Sequence, residues 1–220
     1  MRPSHVRFVA EGPALEPIVQ SSLLTREACL QIVRLAEEHA SQPAVKGWSS
    51  VSGEDFATED VEVDAAPALR SFLLSIGLIP AIERIFAAVF AKPCIHGCDD
   101  LFVVKYNAAI CGQRELALHV DGGDCSFMVA LSARGVDYGG GGTHFERGPP
   151  TQPDGSGDAG GIHLHMEQGD VLAFPAKLYH RGLPIDRGVR YLLVGFCYTD
   201  DPSAARVAGH VNAATLELVQ

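Results

Sequence analysis

Long apolar runs are missing from this chain. Nowhere do eighteen apolar residues follow one another, so no membrane-spanning helix is expected. Basic charge is also scarce. Seventeen Lys and Arg stand against 27 Asp and Glu, a formal net charge of −10. No stripe of Lys and Arg is visible, which argues against nucleic acid as an obligatory partner. Acidity of this kind suits a cationic peptide or a small molecule. Cysteine is sparse for a chain of this length. The six thiols, Cys29, Cys94, Cys98, Cys111, Cys125 and Cys197, do not make a disulfide scaffold. Cys94-Ile95-His96-Gly97-Cys98 has no second Cys/His pair at matching distance, so ordinary thiols are expected there rather than zinc. The first seven residues, Met1 to Arg7, lack the apolar core of a secretory signal, and an intracellular protein with no membrane partner is the expectation.

What is present is enough apolar material, 47% of 220 residues, for one domain with a substantial core. The expectation is a single domain over 1–220, with helical support at about 20–92 and a β core at about 95–200. Thr25 to Ala40 reads as an amphipathic helix capped by Thr25, with Ala28, Ile32, Leu35, Ala36 and His39 on its apolar stripe. Pro67 to Ser75 and Pro80 to Ala91 read as two more helices. Ile82, Ile85, Phe86, Val89 and Phe90 form the buried side of the second. Asp60 to Val63 alternates like a short strand. After Pro93 the pattern changes to short strands between glycine-rich turns, near 101–106, 116–120, 126–131, 143–146, 162–166, 171–174, 178–181 and 190–198. Many short strands with Gly/Pro turns indicate a sandwich or barrel. The Gly/Pro/Asp-rich stretch 148–161 cannot bury a core and is expected to be a mobile insertion. A short helix is expected over 202–220.

His119-Val120-Asp121, followed by His180 and, ten positions on, by Arg190, carries the chemistry. Two imidazoles and one carboxylate can take one face of an octahedral metal and leave the other open, as in non-heme Fe(II) oxygenases. Residues two apart on a strand point to the same side, so one face of a strand would present the ligands. The other face, with Leu116, Leu118 and Val120, would pack on a core. A lone His-x-Asp is weak, since the bland reading is a strand end entering a polar loop. Arg190 shares strand phase with Leu192 and Val194 and should point inward, where a guanidinium needs an anion. It is the expected anchor for a dicarboxylic cosubstrate, with Lys105 and Arg114 in reserve.

The ordered set of motifs resembles the 2-oxoglutarate- and Fe(II)-dependent dioxygenases of the prolyl/lysyl hydroxylase superfamily, and within it the catalytic domain of procollagen lysyl hydroxylases. The phrases that carry the resemblance are His119-x-Asp121, Val129-Ala130-Leu131, Asp137-Tyr138 leading to Gly140-Gly141-Gly142, Phe145, His180-x-Gly182-Leu183-Pro184 and Gly188-x-Arg190-Tyr191. They span about Leu101 to Tyr198. The resemblance implies a mainly β fold with flanking α, a double-stranded β-helix or jelly roll preceded by N-terminal helices. It implies His119, Asp121 and His180 as iron ligands, and Arg190, Thr143 and Tyr106 as cosubstrate contacts. Fe(II), 2-oxoglutarate and O₂ follow as cofactors, with ascorbate as a candidate reductant. The carboxylate of Asp121 implies a hydroxylase rather than a halogenase. Three departures accompany the resemblance: the 148–161 stretch, apolar Phe127-Met128 where the family has a polar residue, and no glycosyltransferase-like domains upstream. The last two point away from collagen as the substrate.

The expected activity is therefore hydroxylation of an amino-acid side chain in a protein, peptide or free metabolite. A nucleic-acid demethylase on the same scaffold and a catalytically silent, cupin-like metal-binding module are the alternatives. His144, His163 and His165 are expected at the surface or barrel edge. Asp99, Asp100, Asp124 and Asp137 could recognise a cationic substrate, although solvated turn carboxylates are the default. The glycines 139–142 lack a following Lys-Ser/Thr and are not a phosphate loop. They are expected to permit tight strand geometry beside the iron.

Overall fold

Thr25 decides where the first helix begins. Its Oγ1 accepts from the Ala28 N–H at 3.2 Å, and α1 runs Arg26–Ala40. The computed structural model describes residues 5–6, 17–45, 47–48, 59–90, 97–147, 160–198 and 211–212. Cys29, Ile32, Ala36 and Ala40 are the buried line of α1, so the apolar stripe is centred slightly off the expected one. α2, Pro67–Ser75, starts on a proline whose missing N–H costs nothing at that position. α3 is Leu78–Phe90 and begins two residues before the expected Pro80, which is tolerated inside the first turn. Ile82, Ile85 and Phe86 are buried. The Val89 and Phe90 side chains lie outside the described residues.

The strands are β1 His5–Val6, β2 Ile18–Gln20, β3 Glu59–Glu62, β4 Gly97–Asn107, β5 Leu116–His119, β6 Cys125–Ala130 and β7 Tyr138–Gly140. They continue with β8 Thr143–Phe145, β9 Ile162–Leu164, β10 Val171–Pro175, β11 His180–Gly182, β12 Ile185–Tyr198 and β13 Val211–Asn212. They form two antiparallel sheets. The larger has the order β1-β2-β10-β6-β12-β4-β13, with β3 beside β4 and β7 beside β12; the smaller is β5-β11-β8-β9. The helix expected over 202–220 lies outside the described residues except at Val211–Asn212, which pair with β4 as strand. The 148–159 part of the expected insertion and Cys94 and His96 also lie outside them.

The larger sheet is buried on both faces, which explains why all six residues of β6 are buried. Period-two alternation sorts its residues. Leu101, Val103, Phe127, Val129, Val171, Ala173 and Leu193 face the helices and pack with Ile32, Leu69, Leu73, Ile82 and Phe86. Val104, Tyr106, Met128, Ala130, Leu172, Phe174, Leu192 and Val194 face the smaller sheet and pack with Phe145 and Leu164. On the helix side Glu37 ties α1 to the sheet. Lys105 Nζ donates to it at 2.8 Å, Trp48 Nε1 at 3.1 Å, and the Tyr191 hydroxyl also donates to it.

β12 is longer than the expected 190–198. Its first half carries exposed Asp186, Arg187 and Gly188 and so shows no apolar alternation. It is strand because β7, a run of Tyr-Gly-Gly, pairs with it through the backbone.

Candidate active site

His119 and His180 face each other directly across the β5–β11 pair, with ring centroids 4.3 Å apart. The register shifts between His180 and Gly182, so that Gly182 stands opposite Leu116. This bulge lets Leu116 and His119, three residues apart, line the same cavity. The expected strand to 120 ends at His119. Val120 is exposed and Leu118 only half-buried, so the far face of β5 is not packed on a core as expected.

Asp121 reaches the site from beyond the strand end. Its N–H donates to the Ala176 carbonyl at 2.8 Å, and Lys177 Nζ donates to the Asp121 carbonyl at 2.9 Å. Thus the end of β10 turns the carboxylate inward. Asp121 Oδ1 lies 3.3 Å from His119 Nε2 and 3.6 Å from His180 Nε2. One potential ligand atom from each of the three side chains falls within 4.8 Å of the others.

Each imidazole is oriented by its other nitrogen. His119 Nδ1 lies 2.7 Å from the Ala117 carbonyl and His180 Nδ1 2.9 Å from the Leu178 carbonyl. A carbonyl only accepts, so each Nδ1 carries the proton and each Nε2 presents a lone pair toward Asp121. His180 is packed by Phe145, stacked at 5.5 Å, and by Phe174 at 4.8 Å. Burial holds its pKa below the usual histidine value, the Asp121 charge opposing. The neutral form is the one a metal needs.

The fit to a cation can be tested on Asp121. Its side chain is 2% exposed, and neither carboxylate oxygen has a hydrogen-bond partner. A buried carboxylate without donors is costly. A divalent cation held by imidazole and carboxylate would remove that cost, and the donor set suits iron.

The three side chains line a cavity of about 330 Å³ between the sheets. Arg190 lines the same cavity and is 2% exposed. It stands opposite Tyr106 in the β12–β4 register, with the Tyr106 and Tyr138 rings 5.5 and 5.9 Å from its guanidinium. Nη1 donates to the Gly142 carbonyl at 3.2 Å, while Nε has no partner. Among the described residues no carboxylate forms an ion pair with it. Burial pushes the Tyr106 hydroxyl up to about 12, Arg190 opposing, so it remains a donor at neutral pH. Thr143 lines the cavity, its hydroxyl 3.5 Å from Met128 Sδ. Lys105 belongs to the Glu37 cluster on the helix side, and Arg114 Nε donates to the Ile185 carbonyl at 3.1 Å. Neither lines this cavity.

The glycines have a role near Arg190. Gly140, Gly141 and Gly142 all have positive φ, at 70°, 67° and 116°, a run that other residues rarely adopt. It aims the Gly142 carbonyl at Arg190.

Two expectations need correction. His144 is not at an edge; it is 2% exposed and hydrogen-bonded to Glu146 at 3.1 Å on the outer side of the smaller sheet. His163 and His165 are exposed. Among the expected carboxylates, Asp124 and Asp137 are exposed, the Asp99 side chain lies outside the described residues, and Asp100 lines the cavity. Sequence reasoning missed Asp60 and Glu62 as cavity residues. The signal was present in β3, where Val61 and Val63 join the helix-side core and the alternating Asp60 and Glu62 face the cavity. Burial pushes Glu62 up to about 8, reinforced by Asp100, Asp64 and Asp60.

No sequence-family profile matches the chain. It is similar to a "Procollagen-lysine,2-oxoglutarate 5-dioxygenase" of Drosophila melanogaster, 27% identical over 181 residues, covering 76% of this chain and 22% of the relative. A "Multifunctional procollagen lysine hydroxylase and glycosyltransferase" of Rattus norvegicus is 36% identical over 186 residues, 79% of this chain and 22% of the relative. The chain thus spans about a fifth of the length of these relatives. In fold it is similar to a Pseudomonas putida prolyl-4-hydroxylase, TM-score 0.55 at 13% identity, covering 86% of this chain and 95% of that one.

Proposed function

We infer that this chain, which belongs to the 2-oxoglutarate- and Fe(II)-dependent dioxygenases of the lysyl hydroxylase type, hydroxylates an unactivated C–H of an amino-acid side chain. The substrate side chain belongs to a peptide or protein, or to a free amino-acid metabolite. The observation that carries the reading is the Asp121 carboxylate, without a hydrogen-bond donor, between two imidazole Nε2 atoms, in a cavity that also holds a buried arginine with no counter-ion among the described residues.

His119, Asp121 and His180 would hold the metal through Nε2, a carboxylate oxygen and Nε2. When bound, iron supplies the oxidising chemistry that couples decarboxylation of 2-oxoglutarate to succinate and CO₂ with hydroxylation. The protein's own part is positional. The Ala117 and Leu178 carbonyls fix the two ring tautomers. Arg190 receives the distal carboxylate of 2-oxoglutarate in a two-pronged contact, the Tyr106 phenol and Thr143 hydroxyl being the nearby donors. Leu116, Val104, Leu192 and Val194 line the surrounding wall and keep water from the reacting centre.

On this reading 1–220 acts as one dioxygenase unit, with about 148–161 an insertion in its sequence. Among the described residues no single helix is long and apolar enough to cross a membrane.

The test is stoichiometric: purified protein with Fe(II), 2-oxoglutarate and ascorbate should release succinate, and His119→Ala or Asp121→Ala should abolish that release. Metal binding without succinate would instead identify a silent metal-binding module. A mass-spectrometric screen of lysyl and prolyl peptides and free amino acids for a product heavier by one oxygen then identifies the substrate.

A further inference from the structure

The strand that carries His180 is held by little. β11 has three residues, and so has β8 beside it. Three register pairs join them: His180 with Phe145, Arg181 with His144 and Gly182 with Thr143. On its other side β11 meets β5 through the register shift that follows His180. So short and irregular a ladder fixes a side chain loosely unless something else pins it, because each backbone hydrogen bond contributes modestly.

The reverse face of the same strands supplies a pin. Partners in register point to one side of a sheet, and neighbours along a strand to opposite sides. Phe145 and His180 therefore face inward with Thr143, while His144 and Arg181 face outward together. Glu146 joins the outward pair. Its N–H donates to the Tyr179 carbonyl at 2.9 Å, one step beyond the last register pair. Its Oε1 lies 3.1 Å from His144 Nε2 and 3.8 Å from Arg181 Nη2. One carboxylate thus bridges the imidazole of β8 and the guanidinium of β11, directly behind His180.

This cluster is enclosed. The Glu146 side chain is 1% exposed and that of His144 2%. Burial holds the His144 pKa below the usual histidine value, Glu146 opposing. The neutral ring donates through Nε2, since a carboxylate only accepts. The His163 ring stands edge-on beside it at 4.6 Å. Gly161 crosses the ring closely: a Cβ there would stand 2.2 Å from His144 Cε1. His144 Nδ1, Glu146 Oε2 and Arg181 Nε have no hydrogen-bond partner. A buried charge cluster with unmet atoms is a poor source of stability, since apolar side chains of similar volume would serve at least as well. What it supplies is a fixed register.

We propose that Glu146 and Arg181 are positioning residues for the metal site, locking β8 to β11 from behind so that the His180 imidazole keeps its place opposite His119. The assignment deepens the metal-site reading above and rests on it for its purpose. Neither residue lines the cavity. The effect passes from Arg181 to the adjoining His180, and from Glu146 to the adjoining Phe145, which stacks on His180.

The experiment pairs two measurements on the full chain. One is a titration with Co(II), an air-stable stand-in for iron. The other is the NMR signal of the His180 Nδ1–H in the metal-free chain. In the parent that proton is held by the Leu178 carbonyl and should exchange slowly with solvent. Glu146→Gln keeps the volume and removes the charge. It is expected to weaken Co(II) binding about tenfold, the lower end for residues that orient a metal ligand, and to speed exchange of the His180 proton. Arg181→Gln alters a side chain 39% exposed, serves if the first variant fails to fold, and should give the same two effects. Glu37→Gln is the control. It loosens the opposite, helix side of the larger sheet and should leave both measurements at parental values. Co(II) affinity within about twofold of the parent in the folded variants overturns the proposal. So does an equal loss in Glu37→Gln, which would mark general loosening. If the parent binds no Co(II), the metal-site reading fails and the His180 proton decides the clamp by itself: faster exchange in the variants retains it, and unchanged exchange overturns it.

Discussion

Replacing Arg190 by Met removes a buried charge without leaving a hole. In the absence of cosubstrate this guanidinium has one hydrogen bond, to the Gly142 carbonyl, and no anion among the described residues. An uncompensated buried charge is unfavourable, so the Met variant should melt at the same temperature as the parent or higher. With 2-oxoglutarate the order should reverse. Breaking a charge-assisted pair whose partner stays buried costs roughly 2–5 kcal/mol, a loss of about 30-fold or more in affinity. At a cosubstrate concentration of about 100 times the parent Kd, linkage stabilises the parent by roughly 2.7 kcal/mol. A variant weakened about 30-fold gains only about 0.9 kcal/mol by the same relation. The assay is thermal unfolding under anaerobic Fe(II), with and without 2-oxoglutarate, alongside titration of the visible charge-transfer band of the chelated keto acid. Arg190→Lys keeps the charge but not the planar fork and should fall between the two. An unchanged 2-oxoglutarate-dependent shift in Arg190→Met refutes the anchor. Loss of metal binding in that variant shows a structural role instead.

Asp121→Ala should lose metal-dependent thermal stabilisation while its metal-free melting temperature stays level or rises, because its carboxylate has no donors to lose; a large metal-free drop would contradict this. Glu37→Gln should lower stability by about 1–3 kcal/mol, as Trp48, Lys105 and Tyr191 lose a charged acceptor, with 2-oxoglutarate affinity unchanged since this cluster faces the helices. Gly188→Ala should destabilise strongly: φ is +75°, and a Cβ would stand 2.0 Å from the Asp137 carbonyl oxygen. Such strain costs of order 1–3 kcal/mol before the steric clash is added, and denaturant unfolding measures it. Glu62 gives a pH-dependent component. Its folded pKa, about 8, lies above the unfolded value near 4.3, so the folded state holds a proton that the unfolded state has released between those limits. Its contribution therefore declines as pH rises through that window, and the stability difference between Glu62→Gln and the parent should grow from pH 5 to pH 8. A difference independent of pH would show that Glu62 is not buried as described.

Why some parts were legible and others not comes down to which face of the sheet a residue serves. Period-two alternation located Asp60 to Val63 and the inward phase of Arg190, Leu192 and Val194, since these depend only on local geometry. It could not locate β7 or the first half of β12, where glycines and exposed polar side chains are held as strand by partners distant in sequence. His144 failed for a related reason: on the outer side of the smaller sheet a polar residue is expected to be solvated, yet Glu146 and Arg181 enclose it. The metal-ligand spacing was read as a strand property, whereas β5 stops at His119 and Asp121 is turned inward by its bonds to Ala176 and Lys177. The acidic end of the cavity shows the limit most plainly. Asp60 and Glu62 look like ordinary solvent-facing strand residues as long as the sheet is assumed to have one wet face. Here helices cover one face and the smaller sheet covers the other. The alternating carboxylates are therefore enclosed, and what would be a solubilising pattern on an open sheet becomes part of the cavity wall.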